Sequence, residues 1–141
     1  MLYLLDTNVL SELRKVKSGR CAPQVVDWAE SVSISDTFIS AISVLEIERG
    51  ILLKEKSDSR QGKILRRWFE EYVLSEYQGR ILAVDRQVAR HCARLHVPDK
   101  RSLNDSLIAA TAFINGMTVV TRNIADFTHM DIPLLNPWDD V

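Results

Sequence analysis

The chain has 141 residues, 46% of them hydrophobic and 26% charged, which is the size and composition of one globular domain. Its 18 basic and 19 acidic residues give a formal net charge of −1, which excludes nucleic-acid binding by a strongly basic body or tail. No apolar stretch approaches the roughly 20 residues of a membrane-spanning helix, and the N-terminus lacks the pattern of a secretory signal. We therefore expect a single domain over residues 1–141 that acts in the cytoplasm and does not contact membranes.

Short apolar runs of strand-forming residues alternate with helical patterns along the chain. This alternation predicts βα units that build a parallel sheet with helices on both faces. The polar stretch over residues 54–63 is predicted to be a surface loop or a helix turn. The predicted strands cover residues 2–5, 37–40, 81–84, 118–121 and 134–135; the predicted helices follow Asp6, cover 23–33, 42–52 and 64–73, follow Asp85, and run from Ser102 to Asn115.

Four acidic residues fall where predicted strands end and helices begin. Asp6 ends the first strand, Glu46 lies near the start of the helix after the second, Asp105 lies in the first turn of its helix, and Asp126 follows the turn after the fourth strand. Open α/β sheets bind their ligands outside the carboxyl ends of the strands. We therefore expect the four side chains to share one pocket at that edge.

Each acid also has a purely structural interpretation. Asp6 could cap a helix, Asp105 could complete a capping box headed by Ser102, and Asp126 could open a loop. Glu46 is harder to explain in this way, because the largely apolar sequence around it offers no partner for a buried charge.

Carboxylates crowded into one pocket repel one another at neutral pH, because free Asp and Glu titrate near pH 4. A divalent cation would remove this conflict. Oxygen ligands without adjacent Cys or His pairs favour Mg²⁺ or Mn²⁺ over zinc, and Mg²⁺ binds only one or two carboxylates directly. Such an ion would activate a water and neutralise charge on a phosphate substrate.

Four sequence blocks, in this order and spacing, resemble the PIN-domain nucleases and, within them, the VapC-type toxins of the FitB-like subgroup. The resemblance spans nearly the whole chain and implies a single PIN domain with a three-layer α/β/α sandwich and a central, mainly parallel sheet. The blocks are LLDTNVLSE at 4–12, SAISVLE at 40–46 with Gly50, NDSLIAATA at 104–112, and VTRN at 120–123 with Asp126-Phe127; Asn136-Pro137-Trp138 matches the FitB-like ending.

The resemblance also implies roles for the polar residues in these blocks. The family's acidic catalytic site would consist of Asp6, Glu46, Asp105 and Asp126, with Asp6 and Asp105 as direct ligands of Mg²⁺ and with Mn²⁺ able to substitute. The neighbouring residues that would orient the carboxylates or the attacking water by hydrogen bonds are Thr7, Asn8, Thr121 and Asn123.

The implied activity is that of the toxin in a type II toxin–antitoxin system. The toxin is a Mg²⁺-dependent endoribonuclease that hydrolyses RNA to 5′-phosphate and 3′-hydroxyl ends. The implied partners are a cognate VapB-like antitoxin and a second copy of the chain, in a homodimer or a larger toxin–antitoxin assembly. Operator DNA would be contacted only through the antitoxin.

RNA must be held by basic residues around the acidic pocket. The candidates follow the first helix or precede Asp105, whereas the helically spaced Arg86, Arg90 and Arg94 are typical of a solvated face or a partner contact, and we expect no substrate role for them. The candidates are Arg14, Lys15, Lys17, Arg20, Lys100 and Arg101.

Two other functions are compatible with parts of the sequence. A phosphatase or phosphotransferase could use Asp6 as a nucleophile, but the motif of that class requires a second Asp where this chain has Asn8. A non-catalytic PIN-like module could bind RNA or act as a scaffold, but such modules usually lack one or more of the acids, and all four are present here.

Overall fold

In the computed structural model, which describes residues 1–139, five short strands form one all-parallel sheet. This confirms the predicted parallel sheet, although β1, β3 and β4 are shorter than expected. The strands are β1 (Tyr3–Leu5), β2 (Thr37–Ser40), β3 (Ile81–Leu82), β4 (Thr118–Val120) and β5 (Leu134–Leu135), in the order β3-β2-β1-β4-β5.

Helices connect the strands, and none in the described part of the chain is long and apolar enough to cross a membrane. A 3₁₀ turn at Ile34–Asp36 precedes β2, and a π-helical turn at Phe69–Val73 lies between α4 and α5 of the following list. The α-helices are α1 (Thr7–Leu13), α2 (Pro23–Ser31), α3 (Ala41–Ser57), α4 (Ser59–Trp68), α5 (Leu74–Glu76), α6 (Arg86–Leu95), α7 (Leu103–Asn115) and α8 (Ile124–Phe127).

The polar stretch over residues 54–63 was predicted to be a surface loop or a helix turn; it is almost entirely helical, so the loop alternative is wrong. Helix α3 continues to Ser57, and α4 begins at Ser59. Only Asp58 separates them, and its side chain accepts a hydrogen bond from the backbone N–H of Gln61 at 3.2 Å. One capping residue therefore ends one helix and starts the next, so no separate loop is needed.

Two apolar cores lie on opposite faces of the sheet. Successive residues of a strand point to opposite faces, so Leu5 and Val120 join a core with α1, α3 and the π-helical turn. Leu4 and Val119 join the other core, which contains Ile108 of α7 and neighbouring residues of α8. The predicted three-layer α/β/α arrangement is confirmed.

The topology of the sheet brings the ends of β1 and β4 together. β1 lies between β2 and β4, and the backbone N–H of Asp6 donates to the carbonyl of Val120 at 2.9 Å. From β1 the chain adds β2 and β3 on one side of β1, and it then adds β4 and β5 on the other side. The strand order therefore reverses between β1 and β4. Ligands of α/β proteins bind at such a switch point.

Candidate active site

Asp6 is held by hydrogen bonds to both carboxylate oxygens. Its Oδ1 accepts from the backbone N–H of Thr7 at 2.8 Å, which is the capping contact that the sequence allowed. Its Oδ2 accepts from Thr121 Oγ1 at 2.8 Å and from Asn8 Nδ2 at 3.3 Å. The side chain is only 6% exposed. Asp6 therefore caps α1 and is also fixed towards the end of β4.

Thr121 is the centre of a network that joins the start of α1 to the turn after β4. Its Oγ1 accepts from Asn8 Nδ2 at 3.3 Å and from the backbone N–H of Asn123 at 3.0 Å. Asn8 Oδ1 accepts from the backbone N–H of Arg122 at 3.3 Å. Asn123 thus supports the network through its main chain, whereas Thr121 and Asn8 use their side chains.

Glu46 is oriented by residues from two other helices. Thr7 Oγ1 donates to Glu46 Oε1 at 2.6 Å and also lies 3.1 Å from Ser43 Oγ. Asn104 Nδ2 donates to Glu46 Oε2 at 3.3 Å. These bonds supply the polar partners that the local sequence around Glu46 lacks. Asn104 was not among the predicted site residues, and the only sequence signal for it is its place beside Asp105.

Asp105 and Asp126 lie near each other on the α7 side of the pocket. Asp105 is half-buried in the first turn of α7, and its capping interpretation has little support because the Ser102 side chain makes no cap hydrogen bond. Asp126 is exposed and lies within α8 instead of opening a loop. Burial raises the pKa of Asp105, and the nearby carboxylates of Asp126 and Glu46 raise it further, while the Ser102 side chain opposes them in part.

Mutual repulsion links all four acids. Burial raises the pKa of Asp6, and Glu46 and Asp105 add to this effect, although the bonds from Thr121 and Thr7 oppose it. None of the ion pairs found in residues 1–139 includes one of these acids. The structure therefore brings together the four acids singled out in the sequence, while their catalytic role stays a prediction.

The donor set suits a hard divalent cation. Every candidate ligand is a carboxylate oxygen, and the charges are balanced by no neighbouring cation in the described residues. No group of three or more His, Cys, Asp or Glu side chains within residues 1–139 is already placed to hold a metal ion. This arrangement fits an ion that takes one or two protein carboxylates and fills its other positions with water, as Mg²⁺ does.

The basic residues predicted to hold RNA are engaged in different ways. Lys15 Nζ forms an ion pair with Glu12 at 3.1 Å, and Arg101 Nε donates to the backbone carbonyl of Leu95 at 2.8 Å. Arg14 and Lys17 line an apolar groove on the α1–α2–α4 side of the molecule. Four of the six candidates therefore make other contacts or line the groove.

Comparisons with known proteins agree with this architecture. A PIN domain matches residues 3–132. Toxin FitB of Neisseria gonorrhoeae is 36% identical over 146 aligned positions, which cover 99% of this chain and 100% of the relative. VapC ribonuclease Y4jK of Sinorhizobium fredii is 33% identical, with 98% of this chain and 99% of the relative covered.

The fold matches a solved structure over its full extent. The structure described as FitAB bound to IR36 DNA fragment has a TM-score of 0.88 and 32% identity, and the match covers 99% of this chain and 98% of that one. The domain match, the full-length relatives and the shared fold agree. The chain belongs to the PIN domain family.

Proposed function

We propose that this protein is the toxin of a toxin–antitoxin system and acts as a metal-dependent endoribonuclease. The observation that carries the proposal is the grouping of Asp6, Glu46, Asp105 and Asp126 at the switch point of the sheet, with Asp6 fixed by Thr121 and Thr7. Relatives that match nearly all of the chain are a FitB toxin and a VapC ribonuclease, which supports the same activity.

Mg²⁺ is the proposed metal, and Mn²⁺ would substitute for it. Asp6 and Asp105 would hold the ion directly, and Glu46 and Asp126 would complete the acidic site directly or through water. When bound, the ion would supply charge neutralisation at the scissile phosphate and a more acidic water. The products would carry 5′-phosphate and 3′-hydroxyl ends.

The protein's own contribution is to orient the carboxylates before substrate arrives. Thr121 and Asn8 fix one oxygen of Asp6, and Thr7 and Asn104 each fix one oxygen of Glu46. Hydrogen bonds of this kind reduce the reorganisation needed when charge develops at the phosphorus. The site therefore has a fixed framework around Asp6 and Glu46.

The phosphatase alternative is disfavoured by the position of Asn8. In that class a second acid gives a proton to the leaving group, but the Asn8 amide donates its hydrogen bonds to Asp6 and Thr121 and has no acidic proton to give. The non-catalytic alternative requires a site without turnover, and it is tested by the experiments below.

The proposed partner is a cognate VapB-like antitoxin that occupies the apolar groove beside α1. The groove has a volume of about 860 Å³, and Trp28, Ile64, Trp68 and Tyr72 are among its lining residues. Its lining also includes Leu5, the residue before Asp6 in the chain, whereas none of the four acids lines it. Similar solved structures include toxin–antitoxin complexes, which supports this partner.

We further propose that the toxin forms a homodimer or a larger assembly with its antitoxin in the cytoplasm, where its RNA substrate is found. Contact with operator DNA would come through the antitoxin. The present chain has a net charge of only −1 and needs no DNA-reading surface for this role.

Expression in a bacterial host tests the proposal. The wild-type chain should arrest growth and degrade cellular RNA, and co-expression of the antitoxin encoded beside it should restore growth. Asp105→Asn should be harmless, whereas Asp27→Asn, which changes an exposed acid of α2, should be as toxic as the wild type. Equal toxicity of Asp105→Asn and the wild type would exclude the proposed site.

A further inference from the structure

A second cleft lies between α6 and α7, apart from the acidic site. It has a volume of about 490 Å³. Helix α6 contributes Arg86, Arg90 and Arg94, and α7 contributes Phe113 and Ile114. The residues of this cationic cleft play no part in the site described above.

The three arginines of the cleft have no carboxylate partners. All three are exposed, and none takes part in an ion pair found in residues 1–139. Their spacing of four residues places successive arginines about 6 Å apart along the helix axis and on one side of the helix. In a chain with a net charge of −1, this row is a local concentration of positive charge, and an anionic ligand would neutralise it.

An aromatic surface lies beside this row. The rings of His91 and Phe113 stack with their centroids 3.9 Å apart and an interplanar angle of 11°. Burial, and secondarily Arg94, lowers the pKa of His91, and Asp131 opposes them in part; the net lowering favours the uncharged imidazole at neutral pH. Phe113 nevertheless remains 43% exposed, which leaves part of its ring open to a ligand. Exposed aromatic rings beside cations are the surface on which nucleic-acid bases stack.

The cationic cleft and the acidic site lie on one helical hairpin. Helices α6 and α7 pack against each other and are joined by residues 96–102, so Arg94 lies at the end of α6 that is nearest to the start of α7. Asp105 lies in that first turn of α7, and Phe113 is eight residues further along, or about 12 Å. A strand of a few nucleotides is long enough to reach from one to the other.

We propose that the cationic cleft binds the phosphodiester backbone of single-stranded RNA some nucleotides away from the bond that is cut. The inference rests on the proposed ribonuclease function and adds a substrate-anchoring site to it. It departs from the expectation drawn from the sequence that Arg86, Arg90 and Arg94 have no substrate role, because the structure places them beside an exposed aromatic ring in one cleft. Guanidinium groups bind phosphate oxygens in paired hydrogen bonds, and the exposed aromatic ring would stack on a base. An acidic protein segment would use the arginines but would gain nothing specific from the stacked rings.

Binding without cleavage is measured first. Fluorescence anisotropy of a labelled single-stranded oligouridylate, with EDTA present, compares the wild type with the triple variant Arg86→Gln/Arg90→Gln/Arg94→Gln. The dissociation constant should rise about tenfold or more, and the slope of log affinity against log salt should decrease by about 2. The matched control Lys56→Gln/Arg60→Gln/Lys63→Gln removes the same charge elsewhere and should bind almost as the wild type does.

A second variant separates RNA from other polyanions. Phe113→Leu should weaken oligouridylate binding about fivefold, because a stacking surface is lost, and should leave binding of inorganic polyphosphate unchanged. If polyglutamate of equal charge competes as well as oligouridylate, the cleft is a site for acidic protein segments and the inference is wrong.

Cleavage assays distinguish this inference from the proposed function. In the triple arginine variant, a long RNA should show a raised KM with little change in kcat, and a dinucleotide that is too short to reach the cleft should be cut as by the wild type. Unchanged oligouridylate binding by the triple variant would overturn the inference even if the wild type cleaves RNA. Cleft-dependent binding by a wild type that cleaves nothing would support RNA binding at the cleft but refute both the ribonuclease function and the anchoring role that rests on it.

Discussion

Thr121 donates a hydrogen bond to Asp6 across 2.8 Å, although the two residues are 115 positions apart in the chain. The bond joins the ends of the adjacent strands β1 and β4 at the switch point of the sheet. Asp6 caps α1 with one carboxylate oxygen, and the Thr121 hydroxyl fixes the direction of the other oxygen. The contact between the two strand ends therefore orients a proposed metal ligand.

Removing this hydroxyl tests the coupling. Thr121→Val preserves the shape of the side chain but leaves Asp6 Oδ2 without its shortest hydrogen bond, so RNA cleavage should decrease about 10- to 100-fold. Thr121→Ser should restore most of the activity. The control Thr118→Val, in the strand β4 that precedes Thr121, should cleave RNA normally. Equal losses in the two valine variants would show that the substitutions act through the stability of this region and not through the orientation of Asp6.

Neutralising Asp105 should stabilise the metal-free protein as pH rises. Burial, Asp126 and Glu46 raise the pKa of Asp105 in the folded state above its ordinary value of 3.8, so its ionisation costs folding free energy. Asp105→Asn should thus match the wild type near pH 3.8 and melt a few degrees higher at pH 7. Added Mg²⁺ should raise the Tm of the wild type more than that of the variant.

The melting experiment has a clear control and a clear contrary result. Asp27→Asn, at an exposed position of α2, should show the same pH dependence as the wild type. An Asp105→Asn protein that is less stable than the wild type at pH 7 would show that the carboxylate is not repelled by its neighbours. A variant whose Tm responds fully to Mg²⁺ would show that the carboxylate is not a metal ligand.

Two glycines should respond in opposite directions to alanine substitution. A Cβ at Gly62 would lie 2.7 Å from the Cα of Glu55, so Gly62→Ala should destabilise the packing of α4 on α3 by about 1–3 kcal/mol. Gly50 lies in α3 with nothing within 4 Å of the new atom, so Gly50→Ala should stabilise the protein by up to about 1 kcal/mol. Urea unfolding measures the change in the free energy of unfolding for each variant. If both variants are stabilised, or both are destabilised, the close contact at Gly62 is refuted.

The apolar groove should be necessary for antitoxin binding but not for catalysis. Ile64 is 51% exposed at the groove, so Ile64→Glu should fold normally and weaken antitoxin binding about thirtyfold or more while RNA cleavage persists. Leu53→Glu, at a 60% exposed position of α3 outside the groove lining, controls for the added charge. Calorimetric titration with the antitoxin gives the affinity of each variant. An unchanged affinity of Ile64→Glu would show that the antitoxin binds elsewhere.

The sequence predicted the features that local patterns determine. Buried strands, helix caps and chain order were sufficient to place Asp6, Glu46, Asp105 and Asp126 at one edge of the sheet, because the carboxyl ends of parallel strands share that edge. It did not predict contacts between distant residues. Asn104 meets Glu46 across 58 positions, and no local periodicity contains that information.

The prediction for residues 54–63, a surface loop or a helix turn, did not decide between the two forms. The polar residues there belong to two helices separated by Asp58. A polar stretch cannot by itself distinguish a loop from a solvated helix face, because composition does not record whether a capping residue restarts the helix.

The most direct test of the account is RNA cleavage by purified protein with the product ends mapped by sequencing. Wild type, Asp6→Ala and the control Asp27→Ala are each incubated with total bacterial RNA in Mg²⁺ or in EDTA. Defined cuts with 5′-phosphate and 3′-hydroxyl ends are expected only in Mg²⁺ and only from the wild type and Asp27→Ala. Cuts that persist in EDTA or in a folded Asp6→Ala variant would contradict this expectation, and RNA binding without any cleavage would favour a non-catalytic module.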